Sequence, residues 1–309
     1  MVGFMVSRIL QAVPVLLVVG FIAFALSDFV GDPVLLYLGQ DQTQEQREAL
    51  IRQLGRDRPI FVRYADYVWG VLHGDFGISY AAREPVGQLL MQYLPATLEL
   101  AGIASALAVA VGVPMGVYTA IHRNTLLSRV FMIGSLIGVS LPTFMLGMLL
   151  ILVFSVWLGW LPSFGRETVL SPVLPAVTLA MFQMTMIMRL VRAEMLEILR
   201  AEYIRFARAR GLSDRAIHFS HALKNTLVPV MTIIALQFGG IVAFSLVTET
   251  VFEWPGLGRL LVKSVASADG PVMSAYLLLT ALLFVTINLV VDLLYFAIDP
   301  RLRLPRGGA

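Results

Sequence analysis

Along this chain the charged positions fall in clusters. Between them lie six uncharged runs long enough, at about 18 residues or more, to be read as membrane helices. They are Ile9 to Ser27, Leu100 to His122, Val130 to Gly165, Thr168 to Met188, Asn225 to Thr248 and Gly270 to Val291. A hydrocarbon core of about 30 Å takes roughly 20 helical residues at about 1.5 Å each, so each run holds one span. The longest, from Val130, holds a span and a loop, with Trp157 and Trp160 at the interfacial end of its apolar part. None shows the alternation of a barrel strand, and backbone groups in lipid must find partners within the segment, so the spans are helices. The pattern predicts an all-α polytopic membrane protein with six transmembrane helices: the first over 9–27, the rest in a core over 100–298.

Two segments outside these runs carry patterns of their own. Over 28–99, Thr43 stands three residues before Gln46 as a capping box, and Ala49, Leu50, Gln53 and Leu54 follow at helical spacing. Pro59, Tyr64, Tyr67, Trp69 and the turn run Gly74-Asp75-Phe76-Gly77 complete a small ordered cap of helices and turns. Over 189–224, the stretch Ala201 to Arg210 predicts a short helix stopped at Gly211, which takes a left-handed cap without steric cost. Ser213 can then cap a second helix leading into the fifth span. On the first of these helices Tyr203, Phe206 and Ala207 share a face at i, i+3 and i+4 that Arg210 extends, while Glu202, Arg205 and Arg208 project elsewhere. Such a helix fits a partner's groove, and equally a membrane surface where its arginines meet anionic lipid.

Composition sharpens the membrane reading. Of 309 residues 58% are hydrophobic and only 14% charged, with a net charge of +3; soluble domains carry about a quarter charged residues. A conventional soluble globule and a nucleic-acid binder with a broad basic surface are both excluded. Fourteen of the 23 Lys and Arg lie at position 8, over 123–129, over 189–224 and over 301–306. Only Arg166, Arg259 and Lys263 lie in the short loops on the other side; the remaining six lie in the long 28–99 segment, which translocates largely regardless of charge. The bias puts the N-terminus (1–8), the 189–224 segment and the tail (299–309) in the cytoplasm, and the 28–99 cap outside. Arg8, the apolar run and the pair Ala23 and Ala25 imitate a signal peptide, but the run exceeds a usual h-region, so the first span is read as retained.

Several chemistries are missing. With no cysteine there is no disulfide or thiolate site, and with no Gly-Lys dipeptide there is no phosphate-cradling Walker loop. The four histidines, His73, His122, His218 and His221, form neither an HExxH helix nor an intramembrane Ser/His pair, which argues against a hydrolase. An ion-coupled secondary carrier would place charges at mid-membrane; Glu99 and Asp292, near the ends of their runs, are the nearest candidates. Pro14, Pro114, Pro142 and Pro175 suggest kinks, and Gly134, Gly138 and Gly147 suggest close helix packing.

One resemblance joins these pieces. The stretch Glu202-Tyr203-Ile204-Arg205-Phe206-Ala207-Arg208-Ala209-Arg210-Gly211, followed by His221-Ala222-Leu223-Lys224-Asn225 and Pro229, resembles the cytoplasmic coupling motif of bacterial ABC importer permeases, in the form of the dipeptide and oligopeptide (peptide/nickel) family. Ala207 and Gly211 match the general Glu-Ala-Ala…Gly pattern; Arg205 and Phe206 stand where Glu and Ala would be, a departure usual in that family. Gly31-Asp32-Pro33, then Gly74-Asp75-Phe76-Gly77-Ile78-Ser79, Pro85-Val86 and Leu94-Pro95-Ala96-Thr97-Leu98 agree with it. So does the run Glu249-Thr250-Val251-Phe252-Glu253-Trp254-Pro255-Gly256-Leu257-Gly258, while Ala268-Asp269-Gly270-Pro271 replaces the usual Arg-Asp-Tyr-Pro.

The resemblance implies a type I importer permease, one of two related subunits forming a pore in the inner membrane. Two ATPase subunits would hold ATP and Mg, this chain binding no cofactor and no metal and hydrolysing nothing. An extracytoplasmic solute-binding protein would deliver the substrate: a peptide, glutathione or a nickel chelate. It assigns ATPase coupling to Glu202, Tyr203, Arg205, Phe206, Ala207, Arg208, Arg210 and Gly211, with Gly211 allowing a close approach. Trp69 and Asp75 become candidate binding-protein contacts. Glu249, Phe252, Trp254, Pro255 and Gly256 become a candidate outer gate.

Overall fold

The computed structural model describes residues 2–29, 43–53, 55 and 57–298. Every named element in them is a helix. In chain order these are α1 (Val2–Phe29), α2 (Gln44–Gln53), α3 (Ile60–Leu72), α4 (Val86–Ile121), α5 (Leu126–Ser140) and α6 (Thr143–Leu150), which continues as π1, a π-helix (Ile151–Trp157). Then come α7 (Val173–Ile198), α8 (Glu202–Ala209), a second π-helix π2 (Ala216–Leu223) running into α9 (Lys224–Phe244), α10 (Leu246–Val251), α11 (Leu257–Ala266) and α12 (Gly270–Ile298). Gly31-Asp32-Pro33, Leu54 and the expected tail 299–309 lie outside the described residues.

Four helices, α1, α4, α7 and α12, are each long and apolar enough to cross a membrane. The other two expected spans are broken. The third bends by 110° between α5 and the α6–π1 helix, and the fifth by 47° between Ala216–Leu227 and Pro229–Phe244. The sharper break has a local cause. Pro142 disfavours helical backbone at the residue before it, and Leu141 sits extended at φ −83°, ψ 128°. The count is six only if each bent pair is a single span.

The chain divides into two compact units, Met1–Thr97 with Pro255–Val285, and Leu98–Trp254 with Thr286–Ala309. In the first, Val86, Leu89 and Leu90 from α4 pack with Leu257, Leu260, Val272, Ala275 and Tyr276. Helix α4 thus begins well before Leu100, where its uncharged run starts, because its first turns bury an apolar stripe in protein. The capping box forms as expected: Thr43 N–H donates to Gln46 Oε1 (3.1 Å) and Gln46 N–H donates to Thr43 Oγ1 (3.4 Å). The Asp269 carboxylate, 2% exposed, clasps the loop before α4. It accepts from the Ser79 hydroxyl at 2.5 Å and from the N–H groups of Tyr80 and Ala81 at 3.1 and 3.3 Å. Helix α3 lies against α1: Tyr64 OH donates to the Leu17 carbonyl at 2.6 Å, and Phe21 stacks on Phe61 at 5.6 Å.

In the second unit α4 and α7 meet at two glycines. A Cβ on Gly116 would sit 2.6 Å from Val191 Cβ and 2.7 Å from the Met188 carbonyl oxygen. One on Gly112 would sit 2.8 Å from the Met184 carbonyl oxygen. Of the glycines expected to mediate close packing, a Cβ on Gly147 would sit 3.0 Å from the Phe252 ring and one on Gly138 would sit 3.1 Å from Thr185 Oγ1. Gly134 has open space around it.

Candidate functional site

The stretch singled out by its sequence folds as α8 between two bounded ends. Ala201, at φ −63° and ψ 148°, precedes the helix, and Arg210 closes it. Gly211 follows at φ +81°. Its N–H donates to the Arg208 carbonyl at 3.0 Å and the Leu212 N–H to the Ala207 carbonyl at 3.3 Å, the paired bonds of a Schellman motif. A Cβ on Gly211 would meet nothing within 4 Å. Within this chain glycine is needed there for its backbone conformation, and no atom of the chain makes a close approach. Ser213 Oγ then accepts from the Ala216 N–H at 3.3 Å and starts the next helix.

Which face α8 presents differs from the expectation at one residue. Ile204 and Ala207 are buried, and α8 packs on π2, whose Ile217 and Ala222 are buried as well. Ala207 is therefore part of the stripe that packs the helix on its own chain and not of its exposed ridge. Ile204, passed over in the sequence, is its principal anchor. Phe206 is 66% exposed, with the Arg210 guanidinium 5.9 Å from its ring centroid. Tyr203 is exposed along the same side, its hydroxyl accepting from Asn225 Nδ2 at 2.9 Å. Glu202 pairs with Arg205 at 2.8 Å, and Arg208 lies 3.8 Å from Asp214. Tyr203, Phe206 and Arg210 form the outward ridge.

The outer candidates are placed differently from one another. Glu249, Phe252 and Trp254 are all buried in the second unit. Ser245 Oγ donates to Glu249 Oε1 at 2.9 Å, and the Glu249 carbonyl accepts from the Trp254 N–H at 2.8 Å. Arg166 donates to the Glu99 carboxylate and lies 5.8 Å from the centroid of the Trp254 ring. This three-element tie was invisible in the sequence because its members are far apart along the chain. Pro255 and Gly256 belong to the first unit, where Gly256 precedes α11 and the Leu257 N–H donates to Thr97 Oγ1 at 2.8 Å. Asp75 Oδ1 accepts from the Gly77 N–H at 2.8 Å and so shapes its own turn. Trp69, 67% exposed, lies tilted against the His73 ring with centroids 4.6 Å apart. No group of His, Asp and Glu fit to hold a metal occurs among the described residues.

Long apolar helices and a short, capped, arginine-rich helix are what the chain offers, and comparison with known proteins identifies its family. Residues 112–304 match the family described as binding-protein-dependent transport system inner membrane component, and residues 1–101 match the N-terminal region of the same systems' membrane components. The chain belongs to this family. It is 40% identical over 304 residues to the glutathione transport system permease protein GsiC of Escherichia coli, covering 98% of this chain and 99% of the relative. It is 39% identical over 312 residues to a Brucella abortus protein named as a candidate peptide transport system permease, again covering 98% and 99%. In fold it resembles the inward-facing methionine ABC transporter MetNI, with a TM-score of 0.60 at 23% identity over 69% of this chain and 97% of that one. The protein is the permease component of a binding-protein-dependent ABC importer, a multi-pass protein of the inner membrane.

Proposed function

We propose that this chain pairs with a second, related permease to form the pore of an importer for peptides or a small peptide-like solute such as glutathione. Two separate ATPase subunits bind ATP and Mg and drive it; this chain hydrolyses nothing. All six spans cross the membrane, each bent pair counting as one, with both termini in the cytoplasm. An extracytoplasmic binding protein delivers substrate to the outer face, where the turn over 74–77 offers it a landing surface. The segment carrying Glu249, Phe252, Trp254, Pro255 and Gly256, tied through Trp254 to Arg166 and Glu99, is the outer gate. The names of the relatives support the substrate class.

The observation that carries the coupling assignment is the construction of α8. It is anchored inward by Ile204 and Ala207, closed by Gly211, and carries an outward ridge of Tyr203, Phe206 and Arg210. A groove on one ATPase grips that ridge and the second ATPase takes the partner permease's coupling helix, so nucleotide-driven motion reaches the spans through a rigid element. The test is reconstitution of the chain in liposomes with its partner permease, ATPases and binding protein, using labelled peptides and glutathione. ATP-dependent uptake requiring all components is expected, and the purified chain alone should show no ATPase activity. Uptake by liposomes holding this chain alone, driven by an ion gradient without ATP, would refute the assignment.

A further inference from the structure

Helix α3 lies in the segment that the charge pattern places outside the membrane, yet its contacts lie at membrane depth. Tyr64 OH bonds to the Leu17 carbonyl, and its ring meets Phe21 edge-on at 5.2 Å and Phe24 at 5.8 Å. Leu17 is ten residues inside the end of the first apolar window at Ser27, about 15 Å along a helix. Helix α12 gives a second, independent depth. A groove of about 410 Å³ is walled by Tyr64, Val68 and Leu72 from α3, by Val13 and Leu17 from α1, and on its far side by α12, Leu282 included. The α12 wall, from Leu278 to Leu282, is about 12 to 18 Å along that helix from Gly270. Both rulers put part of α3 well inside a core about 30 Å thick.

The distribution of residues around α3 agrees. Its inward side carries Ile60, Tyr64, Tyr67, Val68 and Val71, all half-buried. Its outward side is apolar too: Phe61, Val62, Ala65, Trp69 and Leu72 are all exposed, Phe61 and Leu72 more than 70%. Polar residues are confined to one narrow stripe at i, i+3 and i+10, namely Arg63, Asp66 and His73. Asp66 is paired with Arg58 at 3.3 Å, and Arg63 lies 5.5 Å over the Phe24 ring, one turn from the end of the apolar window. A helix apolar over most of its circumference needs an apolar neighbour on its outward side. A single polar stripe and a tryptophan at its edge are the pattern of a helix lying in the membrane interface.

We propose that α3 is embedded in the outer leaflet. Acyl chains lie against Phe61, Ala65, Trp69 and Leu72 and enter the groove between α3, α1 and α12, while Arg58, Arg63, Asp66 and His73 face the headgroups. Trp69, expected from the sequence to meet the binding protein, is on this reading a lipid anchor. Only the choice of leaflet rests on the proposed orientation; the depth does not.

The chain has no cysteine, so single nitroxide labels at Phe61, Ala65, Trp69, Leu72, Asp66 and His73 can be read in the assembled importer in liposomes, with cysteine-free partner subunits. At the first four positions, collision with oxygen relative to a water-soluble nickel chelate should be several-fold higher than at Asp66 and His73. Access to the nickel chelate at all six would put α3 in water and overturn the proposal. So would low access to both reagents at the first four, since the second permease or the binding protein would then be the cover. Uptake is measured on the same liposomes. A preparation that transports nothing but keeps the lipid pattern counts against the transport reading alone and supports this one.

Discussion

Gly211 and Gly116 are both indispensable glycines, for opposite reasons. At Gly211 there is room for a side chain but the backbone is left-handed, which costs an L-residue roughly 1–2 kcal/mol. Gly211→Val should therefore lower uptake while leaving insertion intact, and Gly211→Asn, which tolerates that conformation, should restore most of it. Comparable uptake by the Val and Asn variants would show that strain at this position is not what matters. At Gly116 the backbone is an ordinary helix but the space is filled, in part by the Met188 carbonyl, which cannot swing aside. Gly116→Ala should lower stability by about 1–3 kcal/mol through overpacking. Gly134→Ala, which meets open space, should leave it unchanged; the two melting midpoints in detergent decide the point.

At the scale of the element, the coupling role proposed for α8 assigns anchoring and docking to different side chains. Ile204→Ala opens a cavity under the helix and should destabilise the chain by about 2–5 kcal/mol, seen as a lower melting midpoint even without partners. Phe206→Ala should leave that midpoint unchanged and weaken capture of the ATPases, since losing an aromatic interface anchor costs about 2 kcal/mol or more. Equal loss of melting midpoint in both variants would dissolve the distinction. This helix also marks where the sequence stops being informative. Its C-terminal end and the start of the next helix were legible because Gly211 and Ser213 act on neighbours within five residues, and the capping box at Thr43 and Gln46 was legible for the same reason. Its inward face was not, because Ala207 is turned inward by packing on π2, a choice that spacing within α8 does not contain. Pro142 is a middle case. Its presence announced a bend, but a 110° break depends on what the helices beyond it pack against.

For the whole molecule, orientation is the testable property. Cysteine introduced at Ser213 should react with a membrane-impermeant reagent only from the cytoplasmic side, as the fourteen-to-three bias of short-loop Lys and Arg requires. Labelling from outside would invert the assignment of every surface, α8 and the outer cap included. Gln42, the natural outside control, lies beyond the described residues, so Trp157→Cys is the better choice at the opposite end of a span.

The Asp269 clasp bears on how the protein is made. Its acceptor lies 190 residues after the Ser79 hydroxyl, and at ribosomal rates of about 5–20 residues per second the loop waits roughly 10 to 40 seconds for its partner. During that interval Val86, Leu89 and Leu90 lack the Leu257, Leu260, Val272 and Tyr276 side chains that later cover them. The early segment should therefore depend on chaperones or the insertion machinery until the last span arrives. Chains ending before Asp269 leave that wait unresolved, and quality-control proteases should clear them far faster than chains ending just after α12.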